Sequence, residues 1–160
     1  MTGDARFEDG GDRPLRLLAR DADDLRVLSA LVQDAVLPAS EMRWDHKERR
    51  FALLLNRFRW EDAPAAERRS RAFERVRSLL WIGDVSSVKS QGVPQGDADT
   101  VLSLLEIAFH PGADGAGEVH LTLSGDGVIA CAVEALEVVL KDVTRPYAAP
   151  SGHAPRHDDR

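Results

Sequence analysis

The chain has a single cysteine, Cys131, so no intramolecular disulfide is available, which fits a reducing compartment. Long apolar runs are missing as well. The stretch Phe51–Leu55 stops at the polar Asn56, far short of the roughly 18 residues that span a bilayer. Met1–Arg13 is polar and rich in Gly and Asp, with no apolar segment of the secretory type. These absences together predict a soluble, cytoplasmic protein with no membrane partner.

Catalytic signatures are also missing. There is no GxSxG, no HExxH, no nucleotide fingerprint and no pair of carboxylates in helical register. Gly112, Gly115 and Gly117 precede no helix and lack the Lys-Ser/Thr that completes a phosphate loop. The histidines are His46, His110, His120, His153 and His157, and none has ligand spacing. His110 and His120 flank one turn and could face each other, but two imidazoles without a fixed carboxylate make a poor zinc site. Cys131 alternates with Ile129 and Val133, so it reads as a small buried hydrophobe and not as a nucleophile. No catalytic residue, metal site or cofactor is expected, and the reading leans away from an enzyme.

What the chain does contain is the material of one globular domain: 160 residues, 43% hydrophobic and 30% charged. Residues 1–13 and 147–160 are polar tails without periodicity, expected to be disordered around a single domain over 14–146. Leu15, Leu17 and Leu18 predict a short strand. Asp21 stands at an N-cap position with Asp23 and Asp24 behind it, and Leu25, Leu28, Leu31, Val32, Ala35 and Val36 follow at helical spacing. They predict a helix over about 22–37, ended by Pro38.

Beyond Pro38 the period changes to two. Strands are expected at Met42–Trp44, Arg50–Trp60, Arg75–Ile82, Val85–Ser90, Val101–His110, Glu118–Leu123 and Val128–Val133. Polar turns separate them, and one helical turn is expected around Ala65–Phe73. Glu134–Val143 fits strand or helix, and its adjacent valines favour strand. The fold class read from this is α+β: one early helix on a strongly curled, mostly antiparallel sheet of about seven to eight strands. Such a sheet would be partly closed into a barrel or folded in two layers.

Five segments, Leu15–Ala35, Arg50–Glu61, Arg75–Leu80, Val101–Phe109 and Gly127–Val143, resemble in matching order a bacterial family known only as domain of unknown function 2948. The most specific pieces are Gln33-Asp34-Ala35 and Asn56-Arg57-Phe58 with Trp60-Glu61. Arg59 departs from the pattern, where an acidic residue would stand. The resemblance implies one domain and no established activity.

Charge is distributed unevenly. From Arg43 to Arg77 there are eleven Lys/Arg against six acids, about +5, in a chain whose net charge is -6. Aromatics are scarce overall, yet Trp44, Phe51, Phe58, Trp60, Phe73 and Trp81 fall in or beside this stretch. Arginine interleaved with aromatics is a surface for an acidic ligand or a protein partner. It is also a way of holding RNA or single-stranded nucleic acid. The plainer alternative is that the aromatics are core and the arginines are ion-paired.

Gln33-Asp34 at the helix end and Asn56-Arg57 late in the long strand could meet as a polar clasp or a recognition pocket. The candidate binding residues are therefore Gln33, Asp34, Trp44, Arg50, Asn56, Arg57, Arg59 and Trp60. The functional expectation is a non-enzymatic binding module for a protein partner or acidic ligand. Nucleic-acid binding and an enzyme without a recognisable motif are the alternatives, and a dimer is possible.

Overall fold

The computed structural model describes residues 13–93 and 100–155. The expected amino-terminal tail up to residue 12, residues 94–99 of the expected loop and the last five residues of the carboxy-terminal tail lie outside that range. The elements, in chain order, are β1 (Arg16–Ala19), α1 (Ala22–Leu31), β2 (Ala35–Pro38), β3 (Met42–Asp45), β4 (Arg50–Phe58), α2 (Ala63–Arg68), β5 (Glu74–Ile82), β6 (Val85–Gln91), β7 (Val101–Pro111), β8 (Gly117–Leu123), β9 (Gly127–Val133), β10 (Val138–Asp142) and β11 (Tyr147–Ala148).

The start of α1 follows from its sequence. Asp21 Oδ1 accepts the Asp24 N–H at 2.8 Å, and Asp23 and Asp24 place negative charge in the first turn. Leu25 and Leu28 turn inward and are buried. The helix ends at Leu31, however, and not at residue 37. Asp34 takes a left-handed backbone (φ 63), and Ala35–Pro38 leaves as β2. The apolar residues that looked like a last helical turn are strand residues: Ala35, Val36 and Leu37 pair with Leu104, Ser103 and Leu102 of β7. The ambiguous segment before Val143 resolves as strand over Val138–Asp142.

The sheet has 11 strands, more than expected, and every pairing in it is antiparallel. The order is β1-β10-β5-β4-β2-β7-β8-β9-β6, with β3 on β4 and β11 on β5. The strand count was underestimated because β2, read as the end of the helix, and β11, read as tail, are short pieces whose existence depends on distant partners. The expected strong curl and partial barrel are also corrected: the sheet is neither strongly curled nor closed. Among the described residues β1 pairs only with β10 and β6 only with β9, so the path is open at both ends. The reason lies in α1, which packs against both β1 and β7 and covers by side-chain burial what a closing ladder would have covered. At the bulge in β7 between Leu104 and Glu106, Ser29 Oγ of the helix accepts the Ile107 N–H at 3.0 Å, a bond a neighbouring strand would otherwise make.

Alternation along the strands builds one continuous apolar cluster. Leu17, Leu140, Leu80, Leu53 and Met42 stand in register across five strands. They join Val119, Leu121 and Leu123 of β8 and Ile129 and Val133 of β9. Cys131 lies among them, fully buried, and burial pushes its thiol up to about 12. A thiol-reactive probe is therefore expected to leave the native protein unlabelled at neutral pH and to label it stoichiometrically in denaturant. Rapid native labelling would contradict this placement.

Residues 147–155, assigned from sequence to a disordered tail, continue the ordered chain. Tyr147 and Ala148 pair with Arg75 and Glu74, and the buried Ala149 donates its N–H to Phe73 O at 2.8 Å. No helix among the described residues is long and apolar enough to cross a membrane.

Candidate functional site

Residues i and i+1 of a strand point to opposite faces, and this separates the arginines of the basic stretch into two populations. On β4, Phe51, Leu53, Leu55 and Arg57 face inward with the core, while Arg50, Ala52, Leu54 and Asn56 face outward. Asn56 and Arg57 therefore cannot act on one partner, and the clasp expected from their adjacency is replaced by two separate arrangements.

The inward arrangement is a buried ion-pair knot. Arg57 is fully buried and lies along Glu61 in bidentate fashion, at 2.9 and 2.8 Å. Its Nε and Nη2 also reach Asp142 Oδ1, at 3.3 and 3.1 Å. Asp142 in turn accepts the Ser78 hydroxyl at 2.7 Å and the Leu15 N–H at 3.0 Å. Arg59, only 3% exposed, pairs with Glu74, and its Nε lies 3.6 Å from Glu61. Arg71 holds Asp62 through two hydrogen bonds of 2.8 and 2.7 Å. The knot ties β4, β5, β10 and the chain entering β1 to the excursion that carries α2. Arg57 and Arg59 thus have their charges met internally, as the plainer alternative anticipated.

These pairs carry a pH dependence. Burial alone would raise the Glu61 carboxyl, but its hydrogen bonds to Arg57 and the Arg57 charge outweigh that and hold it below the ordinary 4.5. The Arg71 hydrogen bonds likewise hold Asp62 below 3.8. A carboxyl depressed in the folded state stabilises above its unfolded pKa, and that contribution is lost as pH falls through the folded value. The thermal midpoint is expected to hold from neutrality to about pH 5 and to drop below it. Glu61→Gln should flatten the acid limb, and an unchanged limb would exclude Glu61 as its source.

The remaining candidates sit around the helix end. Trp60 donates its indole N–H to Gln33 O at 3.0 Å and packs edge-on against Phe58, which meets Phe73 in the same way. The Asp34 N–H bonds Leu104 O at 2.8 Å. Gln33 also lines an open groove of about 600 Å³ between α1 and β7, with Arg26, Ser29 and Glu106. Trp44 faces the core side, half-buried, with His46 against its ring at 4.6 Å. Of the six aromatics in or beside the basic stretch, Trp81 and Phe58 stand on the outward face of their strands, and Phe58 is fully buried there against Trp60 and Phe73.

The outward arrangement is different in kind. Across β1, β10, β5, β4 and β3, the residues Leu18, Val139, Trp81, Ala52 and Arg43 lie in register, and Leu79 and Leu54 stand in register one step along. Leu18 is 45% exposed, Trp81, Leu79, Leu54 and Ala52 are half-buried, and Val139 between Leu18 and Trp81 is buried. Around this apolar strip stand Arg16, Lys141 and Arg77 on one side and Arg43 and Arg50 on the other. The Arg50 guanidinium lies 4.9 Å over the Trp81 ring. Arg16, Arg43, Arg77 and Lys141 make no ion pair with a described residue. The one carboxylate on this face of the five strands is Asp45, which accepts the N–H groups of Lys47 and Glu48 in the turn. At the far end Asn56 bridges Tyr147 and Arg75, both at 2.6 Å.

Sequence reasoning found Arg50 and missed Arg16, Lys141, Leu18 and Leu79. The first three come from β1 and β10, outside the basic stretch, and only strand pairing adds them. The signal for Leu79 was there: the alternation Val76, Ser78, Leu80 inward places it outward. His110 and His120 do face each other, with ring centroids 4.1 Å apart. The carboxylate that sequence reasoning found missing is Glu118, 2.8 Å from His120 Nε2. Among the described residues no group of three ligands has metal-binding geometry.

A family model described as "Protein of unknown function (DUF2948)" matches residues 15–157, agreeing with the resemblance and extending it past Val143. No curated protein and no solved structure matches the chain.

Proposed function

We propose that this chain, which belongs to the DUF2948 family of proteins of unknown function, is a non-enzymatic binding module whose outward sheet face receives an acidic partner. The single observation that carries this reading is the segregation of charge. Arginines with inward positions are met by Glu61, Asp62, Glu74 and Asp142, whereas cations around the Leu18–Trp81–Leu54 strip pair with no acid among the described residues. An apolar centre inside a charged rim is the anatomy of a protein-binding surface. Uncompensated rim cations favour a complementary acidic partner and speed its encounter.

The test reverses charge on this face only. Arg50→Glu with Arg77→Glu is expected to weaken capture of a specific partner by about tenfold or more, with the unfolding midpoint unchanged. Arg26→Glu, on the exposed side of α1, is the matched control. A partner set indifferent to the double reversal would remove the proposal. Arg57→Glu does not serve, because that position is buried and the variant would report on folding.

A further inference from the structure

The outward face also has a shape, and resting on the binding-face reading above, we infer that its occupant is an amphipathic α-helix of a protein partner, apolar along one stripe and acidic on both flanks. Leu18, Val139, Trp81 and Ala52 occupy adjacent strands, so the strip runs three ladder spacings, about 14 Å. Over β5 and β4, Leu79 and Leu54 make it two apolar side-chain rows deep, about 7 Å, a bed for one helix of 10–12 Å diameter. Cations border the strip on both sides: Arg16 and Lys141 continue the Leu79 row onto β1 and β10, Arg77 stands one row beyond it, and Arg43 and Arg50 lie at the β3–β4 end. An acidic residue on either flank of a docked helix meets a guanidinium or ammonium that has no acid partner among the described residues. In α+β architecture the apolar faces of a sheet are buried under helices. Here α1 serves the inner face, and no described helix lies over Leu54, Leu79 and Trp81.

Other occupants fit less well. A second copy laid face to face would bring the same rim cations against each other. Single-stranded nucleic acid is held by aromatic platforms on neighbouring strands. This strip is aliphatic apart from Trp81, whose ring Arg50 already covers.

The experiment is an amide and indole chemical-shift titration of the full-length chain with three probes. The first is a peptide of about 18 residues, five helical turns, with leucines at i, i+3, i+4 and i+7 and glutamates on both flanks. The second has the same composition scrambled, and the third is an oligothymidine of about a dozen residues. The expected result is saturable shifts at Leu54, Leu79 and the Trp81 indole with the first peptide. Binding should be at least about tenfold weaker for the scrambled peptide and lost in the Arg50→Glu/Arg77→Glu variant.

Equal binding by the scrambled peptide would overturn the helical occupant while leaving an acidic-ligand face in place. Tighter binding by oligothymidine at the same residues would replace the protein partner with nucleic acid. Shifts at this face that grow with protein concentration alone would assign it to a second copy. Silence at this face with all three probes would overturn the helical occupant. The binding-face reading itself then stands or falls separately, on the partner capture by the charge-reversed variant.

Discussion

Arg57→Leu is expected to destabilise the fold by about 3–5 kcal/mol, measured as a fall in the urea midpoint with an unchanged slope. The size does not come from the worth of the ion pairs, which against well-packed hydrophobic residues is often near zero. It comes from what is left behind. Glu61 and Asp142 are buried on either side of Arg57, and without it Asp142 has no cation and Glu61 keeps only Arg59, whose Nε lies 3.6 Å away. The expected sign of a second substitution follows. Arg57→Leu/Glu61→Leu should lose less than Arg57→Leu alone, because one stranded carboxylate is gone. Asp142 is the wrong member to remove, since it also receives the Ser78 hydroxyl and the Leu15 N–H. A loss below about 1 kcal/mol for Arg57→Leu would mean that water reaches the knot.

Leu80→Ala and Leu79→Ala, neighbours on one strand, are expected to differ severalfold in cost. Leu80 is fully buried between Leu53 and Leu140, and its truncation leaves a cavity worth about 2–5 kcal/mol. Leu79 stands on the outward face between Leu54 and Lys141, where truncation should cost about 1 kcal/mol or less. The contrast bears on function as well as packing. Comparable losses at both positions would show that the outward strip is covered by the protein's own chain, which would close it to any partner. If the contrast holds, Leu79→Ala becomes a clean probe of binding, stable enough to compare directly with the wild type.

Most of the expected elements are legible because their signals are local. Asp21 can cap α1 from three residues away, and the alternation of Val119, Leu121 and Leu123 assigns the faces of β8 without knowledge of its neighbours. The burial of Cys131 follows from the same period. The errors are equally physical. Ala35–Pro38 has apolar residues at positions a helix or a strand can use, and β7 and β4 decide between them. The open sheet went unforeseen because α1 could be recognised as amphipathic without revealing which strands it would span.

The candidate site divides along the same line. That positive charge concentrates between Arg43 and Arg77 while the remainder is acidic was determined by the sequence alone. Which of those charges remain available was decided by tertiary structure, because a charge is neutralised by whatever lies within a few ångströms of it. Asp142, 85 residues from Arg57, arrives only when β10 joins β5. The same pairing carries Lys141 to the opposite face, and β1 adds Arg16 beside it. Strand alternation is a local rule readable from the chain; strand adjacency is a long-range one, and it sorts the cations into a sealed knot and an open rim.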